Sequence, residues 1–93
     1  PIALTSEPYE ERVIYSGNQV QMECKGPQVQ LANIIRTKEK GQLPATAEVQ
    51  GTTLTIYDVQ PKDSGIYICQ VSLNHERLEI NRFQVKIKIL VVF

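Results

Sequence analysis

The side chains able to do chemistry in this chain are few and scattered. His75 is the single histidine, and no cysteine or clustered carboxylate stands near it in sequence to complete a metal site. A lone loop histidine of this kind is ordinarily solvent-exposed. Ser64 and Ser72 lack a recognisable base partner, so nucleophilic catalysis has no second component. Glu7, Glu10 and Glu11 crowd near the N-terminus with a spacing that does not match a calcium loop. No glycine-rich stretch resembles a phosphate cradle. The sequence points away from an enzyme, with no catalytic residue, metal or cofactor expected. What remains is Cys24 and Cys69, 45 positions apart. Two such residues form either a disulfide or a pair of small buried hydrophobes kept reduced. The choice rests on the elements that carry them.

Those elements read as strands. Val20, Met22 and Cys24 alternate with Gln19, Gln21, Glu23 and Lys25 after the turn signal Ser16-Gly17-Asn18, which aims Cys24 into a core. Leu31 to Thr37 reads as the next strand, ended by Lys38-Glu39-Lys40-Gly41, and Leu43-Pro44 opens a new segment because proline cannot sit in a central ladder. Thr52 to Tyr57 places Leu54 and Ile56 on the core side and Thr53, Thr55 and Tyr57 on the other. Val59 to Gly65 makes a corner, with room for a short helical turn. Tyr67, Cys69 and Val71 then share a face, and Phe83, Val85, Ile87 and Ile89 alternate against Gln84, Lys86 and Lys88. No segment sustains helical spacing over three turns, so the fold class is all-β. The lysines of the last strand are expected to discourage edge pairing.

Size and charge narrow the rest. A chain of 93 residues with 42% apolar content suits one domain spanning 1–93, expected to be a module excised from a longer protein. Ten basic residues balance ten acidic ones, so the whole-chain field offers no general attraction to nucleic acid or an anionic membrane. No run reaches the roughly 18 apolar residues that span a bilayer, and none of Asn18, Asn33, Asn74 and Asn81 begins a glycosylation sequon.

The run Asp63-Ser64-Gly65-Ile66-Tyr67-Ile68-Cys69 resembles the immunoglobulin superfamily, above all the intermediate set of matrix and adhesion proteins. The stretch from Gly41 to Cys69, with Gly-Gln-Leu-Pro-Ala, Gly51-Thr52-Thr53-Leu54-Thr55-Ile56 and Val59-Gln60-Pro61-Lys62-Asp63, is similar to the immunoglobulin modules of perlecan-type basement-membrane proteoglycans. The resemblance implies a two-sheet antiparallel β-sandwich with one inter-sheet disulfide from Cys24 to Cys69. Such a bond would restrict the unfolded chain by roughly 4 kcal/mol in the loop-entropy view and fits an extracellular location. It also implies a structural corner of Asp63, Gly65 and Tyr67, the tyrosine hydroxyl bonding back to backbone near Asp63 and Gly65 permitting the local geometry. Two departures stand out. The chain has no tryptophan for the third strand, and counting back from Leu43-Pro44 puts Ile35 in that place. The arginine that often pairs with the corner aspartate is replaced by Ala45-Thr46-Ala47, leaving Asp63 to cap the corner backbone.

With Ile35, Tyr67 and Cys69 facing inward, Ile34, Arg36, Ile68 and Gln70 are expected on the outer face of one sheet, joined by Lys86 and Lys88. An apolar centre with a basic rim suits a protein partner; scattered surface isoleucines of ordinary β-strands are the plain alternative. The hairpin residues Asn74, His75, Glu76, Arg77, Leu78 and Glu79 form a second candidate contact, set against simple extension of the strands by Leu73, Leu78 and Ile80. Arg77 and Arg82 with Lys86 and Lys88 offer weak support for a sulfated glycan, since Glu76 and Glu79 lie among them. The terminal Leu90-Val91-Val92-Phe93 is expected either to continue the last strand under a cover near Ile2 to Leu4 or to pack on a following module. The expected function is a non-catalytic extracellular protein-binding and spacer module. What the resemblance implies is basement-membrane assembly, with a cell-surface adhesion ectodomain or an intracellular muscle-type module as alternatives.

Overall fold

The computed structural model describes residues 9–26 and 33–92. Among these residues, seven strands follow one another as β1 (Tyr9–Tyr15), β2 (Val20–Glu23), β3 (Asn33–Lys38), β4 (Ala47–Gln50), β5 (Thr53–Ile56), β6 (Gly65–Leu73) and β7 (Glu76–Lys88), with a 3₁₀ turn at Pro61–Asp63 before β6. They form a four-stranded sheet ordered β1-β7-β6-β3 and a three-stranded sheet ordered β2-β5-β4. The alternation in the sequence explains the packing. Val20 and Met22 of β2, Leu54 and Ile56 of β5, Tyr67 of β6, and Phe83 and Val85 of β7 interlock with Val59 as one buried cluster. A second cluster of Cys24, Cys69, Val71 and Ile80 continues the interior toward the other end. The sandwich and its covalent tie are as expected, with the Cα atoms of Cys24 and Cys69 6.0 Å apart and their sulfurs bonded at 2.05 Å.

The corner is built from its backbone outward. The Asp63 carboxylate accepts the Gln60 N–H at 2.8 Å, capping the 3₁₀ turn in place of the missing arginine. The Tyr67 hydroxyl donates to the Asp63 carbonyl at 2.6 Å, a bond buried inside the core. Burial, and then the nearby Asp63, raise the Tyr67 pKa, so the phenol is held neutral. Gly65 sits at φ +149°, and a Cβ there would lie 3.0 Å from Lys38 Cε, so a side chain would meet both strain and a neighbour. Lys38 reaches over the Tyr67 ring at 5.7 Å and donates to the Lys62 carbonyl at 3.0 Å, closing the corner from outside.

Four details differ from the sequence reading. One pairing is parallel: β1 runs alongside β7, which the long stretch of chain between them allows. β7 is an inner strand of its sheet, so Lys86 and Lys88 project from a face and guard no edge. The edges are β1 and β3, and Arg36 of β3 points inward, a device that discourages pairing with another chain. Thr55, expected on the solvent side, is buried because β5 lies between β2 and β4, with Gln21 and Glu48 as its register partners. The tail does not continue the last strand: after Lys88, Ile89 to Val92 run outside any strand and are 60–81% exposed. Ile2 to Leu4 and Phe93 lie outside the described residues.

Candidate functional site

The outer face of the four-stranded sheet is fixed by register. Residues directly opposite in a ladder share a face, and Cys69, Val71 and Tyr67 of β6 point inward. Arg36 is opposite Cys69 and Ile34 opposite Val71, so both point inward, contrary to the expectation that they face solvent. Ile34 packs against the cluster that contains the disulfide. Ile35, opposite Gln70, and Thr37, opposite Ile68, take the outer side. The cause is a slip of one residue in β3, which flips every side chain on the strand. Arg36, not Ile35, occupies the core position beside the disulfide that a tryptophan fills in related domains.

Ile68, Gln70, Lys86 and Lys88 do lie on the outer face, as their strands' alternation requires. Ile35 and Ile66 join them, and β1 brings Val13 beside Lys86 and Tyr15 beside Lys88, each 49% exposed. The alternation Glu11, Val13, Tyr15 carries the signal for β1; of these residues only Glu11 is singled out by sequence, with Glu7 and Glu10 as an acidic patch. Those acids have partners: Glu11 binds Lys86 at 2.7 Å across the outer face, and Glu10 binds Arg12 at 3.1 Å on the inner side, where Arg12 lies over the Phe83 ring. Arg82 accounts for the rest of the rim charge. It donates to both carboxylate oxygens of Glu79 at 2.8 Å and to Glu39 at 3.1 Å, and the bonds to Glu79 above all raise its affinity for its proton. The face is thus an apolar strip edged by mutually neutralised ion pairs.

The hairpin is tighter than expected. Only Asn74 and His75 form the turn, with φ of 53° and 67°, the geometry of a two-residue connection whose backbone twist matches its strands. Glu76, Arg77, Leu78 and Glu79 belong to β7, Leu78 opposite Val71 and Glu76 opposite Leu73. His75 is exposed at the tip. A bulge between Cys69 and Gln70 lets the successive residues Ile80 and Asn81 both turn inward. Among the described residues, no three His, Cys, Asp or Glu side chains gather where one metal ion would touch them. Among the described residues the geometry offers an open sheet face as a surface for contact.

A disulfide-stapled two-sheet sandwich with one open sheet face defines a domain of the immunoglobulin class. The chain belongs to that superfamily: the immunoglobulin V-set domain model matches residues 7–92. The match is to the V-set, where the corner motif resembles the intermediate set; among the described residues no further strand separates β3 from β4. Over 56 residues the chain is 36% identical to the basement membrane-specific heparan sulfate proteoglycan core protein of Mus musculus, covering 60% of this chain and 2% of that protein. It is 29% identical over 55 residues to cell adhesion molecule 3 of Xenopus laevis, covering 53% of this chain and 14% of that protein. The chain therefore spans a small fraction of the length of either relative. In fold it is similar to the tandem Ig repeats of Dlar, a Drosophila receptor protein tyrosine phosphatase, with a TM-score of 0.74 and 21% identity over 95% of this chain and 48% of that chain.

Proposed function

We propose that this domain is a non-catalytic, extracellular protein-binding and spacer module of a matrix or adhesion protein, gripping a protein partner through the outer face of the β1-β7-β6-β3 sheet. The observation that carries the reading is the strip of Ile35, Ile66 and Ile68, extended by half-exposed Val13 and Tyr15 and bordered by the ion pairs of Arg82 and Lys86. An apolar centre with a polar rim is the layout of a protein contact. Gln70 and Lys88 complete the border, and the hairpin from Asn74 to Glu79, with exposed Leu78, is the second contact. The disulfide suits an oxidising location. Sulfated glycan ranks below protein because Arg82 and Lys86 already hold carboxylates. The similarity to the basement-membrane proteoglycan supports a role in basement-membrane assembly; the similarity to cell adhesion molecule 3 supports a cell-surface adhesion ectodomain as the second reading.

The test uses an Ile35→Asp, Ile68→Asp double variant, both positions lying on the outer face. Binding to immobilised basement-membrane proteins and to intact cells is measured beside the unaltered domain, with thermal unfolding as the folding control. Loss of at least tenfold in affinity with an unchanged melting curve is expected, on matrix for the first reading and on cells for the second. Equal binding by both proteins discards the face. Two thiols that alkylate without reduction in material from its native compartment would discard the extracellular location and favour the intracellular muscle-type alternative.

A further inference from the structure

Beside the disulfide, half-buried Arg36 passes from the interior to an exposed bond at the surface. Arg36 starts opposite Cys69 in the β3–β6 ladder and ends at the Gly51 carbonyl, to which its terminal nitrogen donates at 3.1 Å. The next residue, Thr52, accepts the Cys24 N–H at 2.8 Å. The side chain therefore passes from the Cys69 register position to the segment that pairs with Cys24. Its Nε is buried and has no hydrogen-bond partner among the described residues. Both cysteines and Arg36 line one cavity with Met22, Leu54 and Phe83, which leaves about 10 Å³ for the centre of a water molecule. Burial lowers the proton affinity of Arg36, yet an arginine in a protein stays charged. The other titratable groups nearby do not balance it: Tyr67 is held neutral, Lys25 is itself cationic and exposed, and Glu23 points to the opposite side, where Thr52 donates to it.

We infer that Arg36 makes the Cys24–Cys69 bond redox-labile, favouring its reduction by an external dithiol with Cys24 as the leaving thiolate. A thiolate of the dithiol attacks Cys69 Sγ, a bond forms between them, and the Cys69–Cys24 bond breaks with its electron pair departing on Cys24 Sγ. That anion supplies a negative charge and an acceptor for Arg36 Nε, which has none among the described residues of the oxidised protein. The second thiolate of the dithiol then attacks the mixed disulfide, closing its own ring and releasing Cys69, which takes a proton. The domain gains two electrons, the dithiol loses two, and the dithiol's protons end on Cys69 and in solvent. Opening of β3, an edge strand, gives the dithiol its access to a bond that is otherwise buried. Two ties between the sheets survive reduction at this end: Arg36 to Gly51, and the Asn81 side-chain Oδ1 accepting the Lys25 N–H at 2.7 Å.

Equilibration of the domain with reduced and oxidised dithiothreitol at pH 7, read by mass after alkylation, measures the effect. Arg36→Leu is expected to shift the equilibrium about tenfold toward the disulfide, which for two electrons is about 29.6 mV. Arg36→Gln, a second neutral variant, should move the same way, and Arg36→Lys should stay near the unaltered protein. In the reduced domain, the pH midpoint for iodoacetamide alkylation of Cys24 should fall below the ordinary thiol value of about 8.5 and return to it or above in Arg36→Leu. An unchanged or opposite shift in potential overturns the inference. So does a shift in potential without a shift in the alkylation midpoint, which would assign the effect to packing. Loss of the sandwich on reduction of the unaltered domain, seen by circular dichroism, overturns it as well.

Discussion

The two ends of the sandwich interior are held by different physics. At the corner end, Val20, Ile56, Val59, Phe83 and Val85 interlock around Tyr67, whose hydroxyl is spent on the Asp63 carbonyl. At the disulfide end, the smaller cluster of Cys24, Cys69, Val71 and Ile80 is flanked by polar side chains turned inward, Asn81 and Arg36. Apolar area does the work at one end and directional bonds at the other. The lesson lies in the missing tryptophan: without a large ring against the disulfide, the sheets are tied there by the sulfur bridge, by Asn81 to the Lys25 N–H, and by Arg36 to the Gly51 carbonyl. Arginine supplies length where tryptophan would supply volume, and it leaves a cavity and an unpaired donor behind.

Substitutions at the two ends test that division. Phe83→Ala at the corner end should have the largest effect, a loss of about 4 kcal/mol from a buried aromatic, read as a lower denaturation midpoint with little change in slope. Asn81→Ala at the disulfide end removes one buried acceptor and should cost about 2 kcal/mol. Its cost should grow once the disulfide is reduced, because the two ties act on the same pair of sheets; an equal cost in both redox states would mean that they act independently. Tyr67→Phe should cost about 1 kcal/mol, the worth of one hydrogen bond. It should also alter the alkaline limb. A phenol whose folded pKa is raised above its unfolded value of about 10 contributes stability that is complete below pH 10 and is lost as the pH climbs beyond it. The phenylalanine variant should lack this part of the decline, which urea unfolding between pH 9 and 11 would reveal.

The corner was legible from sequence because its parts are neighbours: Asp63, Gly65 and Tyr67 lie within one turn and the start of one strand, and their bonds close locally. The outer face was legible only in β6, where the inward Tyr67 and Cys69 fix the parity, and in β7, where polar and apolar residues alternate and one side must be buried. β1 was overlooked as a strand because its inner side carries Glu10 and Arg12, charges that conceal the period until their pairing is seen. The turn at Asn74 and His75 was drawn too long because the strand character of Glu76 to Leu78 comes from pairing with Ser72, Val71 and Leu73 and not from their own composition.

By itself the sequence, through its family resemblance, determined the class of fold, the pair of cysteines that staple it, and the tyrosine at its corner. It did not determine the facing of β3. Asn33-Ile34-Ile35-Arg36 offers an isoleucine to either side, so hydrophobic alternation cannot choose between two registers one residue apart. Pairing with β6 made that choice, setting Ile34 against the core, Ile35 on the open face and Arg36 beside the disulfide. Side-chain direction in a strand is local in its period but not in its phase, and the phase of an edge strand is set by the neighbour to which it bonds.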